Sequence, residues 1–176
     1  MAEPVGRAGA SGASGAFRVL LLCTGNSARS ILGEALLRRH GGGRFAALSA
    51  GSEPKGAVHP LALELLAELG FETEGLHSKG VGELLGADAP RLDLVITVCD
   101  RAAASCPLLP GTPLTVHWAL PDPAAVAGSD AEQRAAFRRT FDALEARILG
   151  LVGLDDAALG SPALGSRLRA LHAGLA

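Results

Sequence analysis

Residues 17–40 read FRVLLLCTGNSARSILGEALLRRH, and the fold is decided there. Residues 17–22 form a short apolar run, the mark of a strand buried in a parallel sheet. In residues 30–40, Ile31 and Ala35, and Leu32 and Leu36, stand four apart, which is helical spacing. Gly41-Gly42-Gly43 ends that helix. Between strand and helix stands CTGNSARS, residues 23–30, with a cysteine and an arginine around a loop of small residues. Such a loop is an anion cradle: its N–H groups turn inward and the helix N-terminus adds partial positive charge. Thr24, Gly25, Asn26, Ser27, Ala28, Arg29 and Ser30 are expected to line it. Gly25 is expected to permit an unusual backbone angle, and Arg29 to fork two hydrogen bonds onto a tetrahedral oxyanion. The same field favours a thiolate, making Cys23 the expected nucleophile toward the bound anion. Ser30 can donate to that sulfur and Asn26 can hold the loop in shape. Taken alone, Cys23 reads equally well as a small core hydrophobe. The arginine six positions on and the strand–loop–helix context decide for the functional reading.

Outward from this unit, strand and helix patterns alternate. Residues 44–50 make a second strand closed by Gly51, and residues 59–69 a second helix with Pro60 in its first turn and Gly70 past its end. Residues 81–86 add a helical turn. Residues 92–98 (LDLVITV) are the clearest strand, and 113–117 a fourth. Ser129 and Glu132 form a capping box that opens a long helix to about residue 149, with Phe137, Phe141, Leu144 and Ile148 on one face. A last helix is expected within 150–176. Alternation of this kind gives a parallel sheet with helices on both faces and right-handed connections. Ligands then bind at the carboxyl ends of the strands, near a switch in strand order. Cys23 and Cys99 each follow a strand, so both thiols are expected at one sheet edge.

The 176 residues suit one domain, and 48% hydrophobic content can fill its core. A net charge of −2 gives no broad pull toward nucleic acid or anionic lipid, so any anion must be held locally. The lack of tyrosine argues against a base-stacking platform. No apolar stretch reaches the roughly 18–20 residues that span a bilayer. Residues 1–16, MAEPVGRAGASGASGA, lack the apolar core of a signal peptide and read as a flexible tail. The expected organisation is this tail, a domain over 17–150 and a helical C-terminal extension over 151–176. The three cysteines, an odd count without a secretion signal, point to reactive thiols in a reducing compartment, so a cytoplasmic location is expected.

The other two cysteines lie in DLVITVCDRAAASCPLLPG, separated by a stretch able to form a short, movable helix. Cys99 and Cys106 do not have zinc-ligand spacing and no histidine cluster accompanies them. They are either two unrelated thiols or the later members of a relay, in which one thiolate takes the substrate, a second attacks it and a third passes the disulfide outward. In VHWALPDPA, Asp122 lies between prolines in a rigid loop that can hold a carboxylic acid over the cradle to protonate a leaving oxygen. On its own it would be an ordinary turn aspartate. Trp118 reads as a packing anchor for that loop. His40, His59, His77, His117 and His172 are scattered and read as structural or surface residues, and Glu34 as a helix-surface or supporting group.

CTGNSARS, the SAG at 49–51, DLVITVC at 93–99, CP at 106–107 and HWALPDPA at 117–124 occur in one order. In that order they resemble the bacterial arsenate reductases built on the low-molecular-weight protein tyrosine phosphatase fold. The resemblance covers about residues 17–150. It implies an α/β three-layer sandwich with a four-stranded parallel sheet. It implies Cys23 as nucleophile, Arg29 as oxyanion binder, Asp122 as general acid, Ser30 and Asn26 as groups that tune the nucleophile, and Cys99 and Cys106 as relay thiols. It implies arsenate as substrate, with phosphate or sulfate as mimics, and no bound cofactor. The reducing equivalents would come from thioredoxin, or from glutaredoxin and glutathione. Two departures stand out. Ala28 replaces a further cysteine found in many relatives. Some relatives bind potassium through Ser, Glu and Asp; here Glu34 and Ser49 match, while Lys79 falls at the remaining position and its ammonium is expected to replace the metal. A phosphatase on the same loop is the alternative function, weakened because Ala124 follows Asp122-Pro123 where phosphotyrosine phosphatases carry a tyrosine. A non-catalytic oxyanion-binding or redox-sensing module is a third reading, but no group that catalysis needs is missing.

Overall fold

The computed structural model describes residues 15–86, 88–105, 109, 111 and 113–175. Residues 1–14 of the expected tail, and Cys106, lie outside the described residues. Four strands, β1 (Phe17–Cys23), β2 (Phe45–Gly51), β3 (Leu94–Thr97) and β4 (Leu114–His117), form one all-parallel sheet in the order β2-β1-β3-β4. The helices are α1 (Arg29–Gly41), α2 (Pro60–Glu68), α3 (Asp100–Ala104), α4 (Asp130–Val152), α5 (Asp156–Leu159) and α6 (Leu164–Gly174). Residues Val19 to Cys23 are buried one after another. Successive strand side chains point to opposite faces, so both faces of β1 are covered and the molecule is a three-layer α/β sandwich.

The helix termini follow local chemistry. Nδ1 of His59 caps α2 by accepting from the Leu61 N–H at 3.2 Å, with Pro60 in the first turn. The Ser129–Glu132 capping box opens α4. Gly42, at φ 52°, takes the left-handed turn that ends α1. β3 is shorter than expected, four residues instead of 92–98. Past Thr97 the backbone still follows β1, with the Val98 N–H bonding Leu22 O at 2.9 Å. Residues 81–84 form a single 3-10 turn.

The chain leaves β1 for β2 on one side and later returns to β3 on the other. The switch point therefore lies at the carboxyl ends of β1 and β3, where Cys23 ends one strand and Cys99 stands two residues past the other.

Candidate active site

The loop between β1 and α1 is held from outside through its carbonyls. Cys23 O, Thr24 O and Gly25 O accept from Ser52, Glu53 and Lys55 N–H at 3.1, 2.9 and 2.9 Å, and Ser27 O accepts from His59 N–H at 2.9 Å. With its oxygens drawn outward, the loop leaves its N–H edges to the cavity it surrounds. Asn26, at φ 42°, is the one described non-glycine residue in the left-handed region. The unusual backbone angle expected at Gly25 falls on Asn26 instead. At Gly25 itself the Lys55 side chain packs close, so that a Cβ there would meet it at 3.2 Å.

Side-chain hydrogen bonds compensate for the strain at Asn26. Asn26 Nδ2 donates to Ser30 Oγ at 2.8 Å and Ser49 Oγ at 2.9 Å, and Oδ1 accepts from the Lys79 N–H at 2.8 Å. Cys23, 3% exposed, has its Sγ 3.2 Å from the Asn26 N–H and 2.9 Å from Ser30 Oγ. Both contacts donate to a thiolate, with the hydroxyl oriented accordingly.

Beneath the loop, Glu34 is 1% exposed and accepts from Ser49 Oγ and from Arg38. The Lys79 ammonium stands 3.3 Å from Glu34 Oε2, 3.3 Å from Ser49 Oγ and 3.2 Å from His77 O. Two cations thus neutralise one buried carboxylate, and a continuous hydrogen-bonded chain runs from Lys79 through Ser49, Asn26 and Ser30 to the Cys23 sulfur.

Across the cavity, Arg29 donates from Nη1 to Leu120 O at 2.9 Å and pairs through Nη2 with Asp122 Oδ2 at 3.3 Å. The other Asp122 oxygen accepts from the Ala124 N–H at 3.1 Å, capping the 3-10 turn at 123–125. Asp122 remains 37% exposed. Cys99 immediately precedes α3, and its Sγ lies 3.3 Å from Thr24 Oγ1. Cys23, Arg29, Cys99 and Asp122 line one open cavity of about 570 Å³. Thr24, Gly25, Ser27 and Ala28 line it too, whereas Asn26 and Ser30, expected to line it, are 0% exposed and stand behind the Cys23 sulfur.

Three groups there escaped the sequence reading. Lys55, Glu53 and Arg101 line the same cavity. Their only sequence signal is position, since Glu53 and Lys55 follow a strand that ends beside β1. Gly51 has a sharper role: a Cβ on it would lie 2.5 Å from Thr24 O and 3.0 Å from the Asn26 N, so only glycine lets β2 pass under the loop. Leu120 contributes a backbone carbonyl, for which no side-chain pattern exists.

A buried cysteine sulfur in a strand–loop–helix cradle on this sheet defines a class of protein, and comparison with known proteins agrees. Residues 18–161 match the family profile described as low molecular weight phosphotyrosine protein phosphatase, and the chain belongs to that family. Within it, the curated relatives it matches include arsenate reductases, while the solved structures of the same fold include tyrosine phosphatases as well as arsenate reductases. An arsenate reductase of Halalkalibacterium halodurans is 37% identical over 130 residues, covering 74% of this chain and 91% of that protein. The crystal structure of an arsenate reductase from Archaeoglobus fulgidus superposes with a TM-score of 0.60 at 31% identity, covering 77% of this chain and 99% of that one. A thioredoxin-dependent arsenate reductase of Corynebacterium glutamicum superposes with a TM-score of 0.59 at 30% identity, covering 79% of this chain and 61% of that one.

Proposed function

We propose that this chain is an arsenate reductase that draws its electrons from thioredoxin. The observation that carries the reading is one cavity lined by two thiols, Cys23 and Cys99, together with Arg29 and Asp122. A phosphatase needs the first thiol, the arginine and the acid, but has no use for the second thiol. The thioredoxin-dependent relative supports the choice of reductant.

Arsenate enters the cradle and Arg29 turns its fork from Asp122 and Leu120 O to the anion. Cys23 attacks arsenic; an As–S bond forms, an As–O bond breaks, and Asp122 protonates the departing oxygen. Cys99 then attacks the Cys23 sulfur. The S–S bond forms, the As–S electron pair stays on arsenic, and arsenite leaves two electrons richer. Cys106 replaces Cys23 in the disulfide, which frees the nucleophile and leaves a Cys99–Cys106 bridge for thioredoxin to reduce. The movable segment expected between these thiols corresponds to α3 and the residues after it. Residues 17–150 would carry this machinery, with 1–16 a tail and 151–176 an extension.

The potassium ion of some relatives does not fit here. The Lys79 ammonium already contacts the oxygens of Glu34 and Ser49 that would ligate it, so a fixed cation takes its place. Among the described residues, no helix is long and apolar enough to cross a membrane.

The test is arsenate-dependent NADPH oxidation with thioredoxin and thioredoxin reductase, on wild type and Cys106→Ser. Wild-type turnover that vanishes in the variant is expected. Absent arsenate turnover with brisk aryl phosphate hydrolysis in both would make the chain a phosphatase.

A further inference from the structure

Helix α6 lies beyond the stretch that matches the family, which ends at residue 161. It packs against the strand that leads into the Asp122 loop. Leu164 and Leu168 are buried in the main core, and α6 approaches β4 so closely that a Cβ on Gly165 would meet Leu114 Cδ1 at 3.1 Å. At its centre, the Leu168 carbonyl accepts a 3.1 Å hydrogen bond from Nε1 of Trp118, which is 0% exposed. A buried indole N–H requires an acceptor, so α6 fixes the orientation of the ring. The backbone runs on from Trp118 with little slack. Trp118 N–H bonds Thr97 O at 2.8 Å, Leu120 N–H bonds Val98 O at 3.2 Å, and Leu120 O receives Arg29. Pro121 and Pro123 then stiffen the chain on either side of Asp122. The helix is itself clasped by Arg147 of α4, 2% exposed, which donates to His172 Nδ1 at 3.0 Å and Leu175 O at 3.3 Å.

We infer that α6 is a positioning element for the reaction: its Leu168 carbonyl fixes Trp118, and through residues 118–122 it sets where the Asp122 carboxyl stands in the cavity. The inference rests on Asp122 being the general acid proposed above.

Two full-length variants test it. Trp118→Phe keeps an aromatic ring but removes the N–H. Gly165→Leu wedges α6 away from β4 and retains the only tryptophan of the chain as a reporter. Both should lower kcat about tenfold, because small displacements of a reacting group are costly. The KM for arsenate, and the protection of Cys23 by inorganic phosphate against iodoacetamide, should stay within about twofold. Amide exchange over 119–126 should quicken while 24–32 stay protected, and tryptophan emission of Gly165→Leu should move to the red. Unchanged kcat and exchange, or turnover and phosphate protection falling together, would overturn the inference. If wild type shows no arsenate turnover, the functional reading has failed instead, and the exchange at 119–126 still decides whether α6 holds that loop.

Discussion

The loops at 23–30 and 118–126 face one cavity but are held differently. In the first, Cys23, Asn26, Ser27, Ala28 and Ser30 are buried, and two other segments converge on it, β2 through the Ser49 hydroxyl and the close approach of Gly51, and Lys79 through its backbone N–H. In the second, Asp122 is 37% exposed and its carboxylate has two partners, Arg29 and the Ala124 N–H. Binding a tetrahedral anion requires a rigid ring of donors whose dipoles cannot relax, whereas delivering a proton requires a carboxyl that water can reach and that releases Arg29 when the anion arrives. The cradle is held by bonds within and beneath it, and in the proposed reaction the acid is aimed from behind.

Changing one loop at a time sharpens this contrast. Asp122→Asn should cut arsenate turnover by roughly 100-fold, the lower range of general-acid effects, while phosphate protection of Cys23 against alkylation stays near wild type. Single-turnover kinetics with a parallel alkylation assay measure both; a matching loss of protection would show that the two loops are one unit. Gly51→Ala should do the converse. Its methyl group would press on Thr24 O and on Asn26, so phosphate affinity should fall about tenfold and stability by about 1–3 kcal/mol, as overpacked sites do. Isothermal titration and urea melts would read these.

The smallest effect concerns the support behind the acid loop. Burial, then the Arg147 charge, then His117, hold the His172 pKa below its ordinary 6.5. Just below pH 6.5 the unfolded chain therefore binds more protons than the folded one. This contribution to stability is complete above about pH 6.5 and is lost as the pH falls toward the lowered value. His172→Gln should thus lose less melting temperature between pH 7.5 and 5.5 than wild type, by about 1–2 °C. Differential scanning calorimetry at the two pH values would show it, and equal losses would mean that the Arg147–His172 clasp does not titrate.

The same contrast explains what the sequence revealed. The cradle is local: an apolar run, eight residues and a helical period specify β1, the loop and α1, and the Ser129–Glu132 box marks α4 to within a residue of its start. That Cys23 and Cys99 each follow a strand put both thiols at one sheet edge, and Asp122 was read in a rigid loop after the fourth strand. The support was not legible. Whether Gly25 or Asn26 takes the strained angle depends on Ser49 and Lys79, which lie 23 and 53 residues from Asn26. That Leu168 meets Trp118 across 50 residues is a matter of packing, which no periodicity encodes. Lys55 offered a charge in a loop, with nothing local to say that it leans on Gly25.

The outward carbonyls of the cradle also fix when it can exist. A chain emerging from the ribosome displays CTGNSARS early, yet the oxygens of that loop find their partners only once residues 52–59 have followed, and Asn26 finds its last one only with Lys79. Nucleation by β1 and α1 alone would leave the loop open to water and its donors unaimed. On the proposed mechanism the thiol thus acquires its chemistry only after nearly half the polypeptide has appeared, and a truncated product ending before Lys79 would carry the motif without the reactivity.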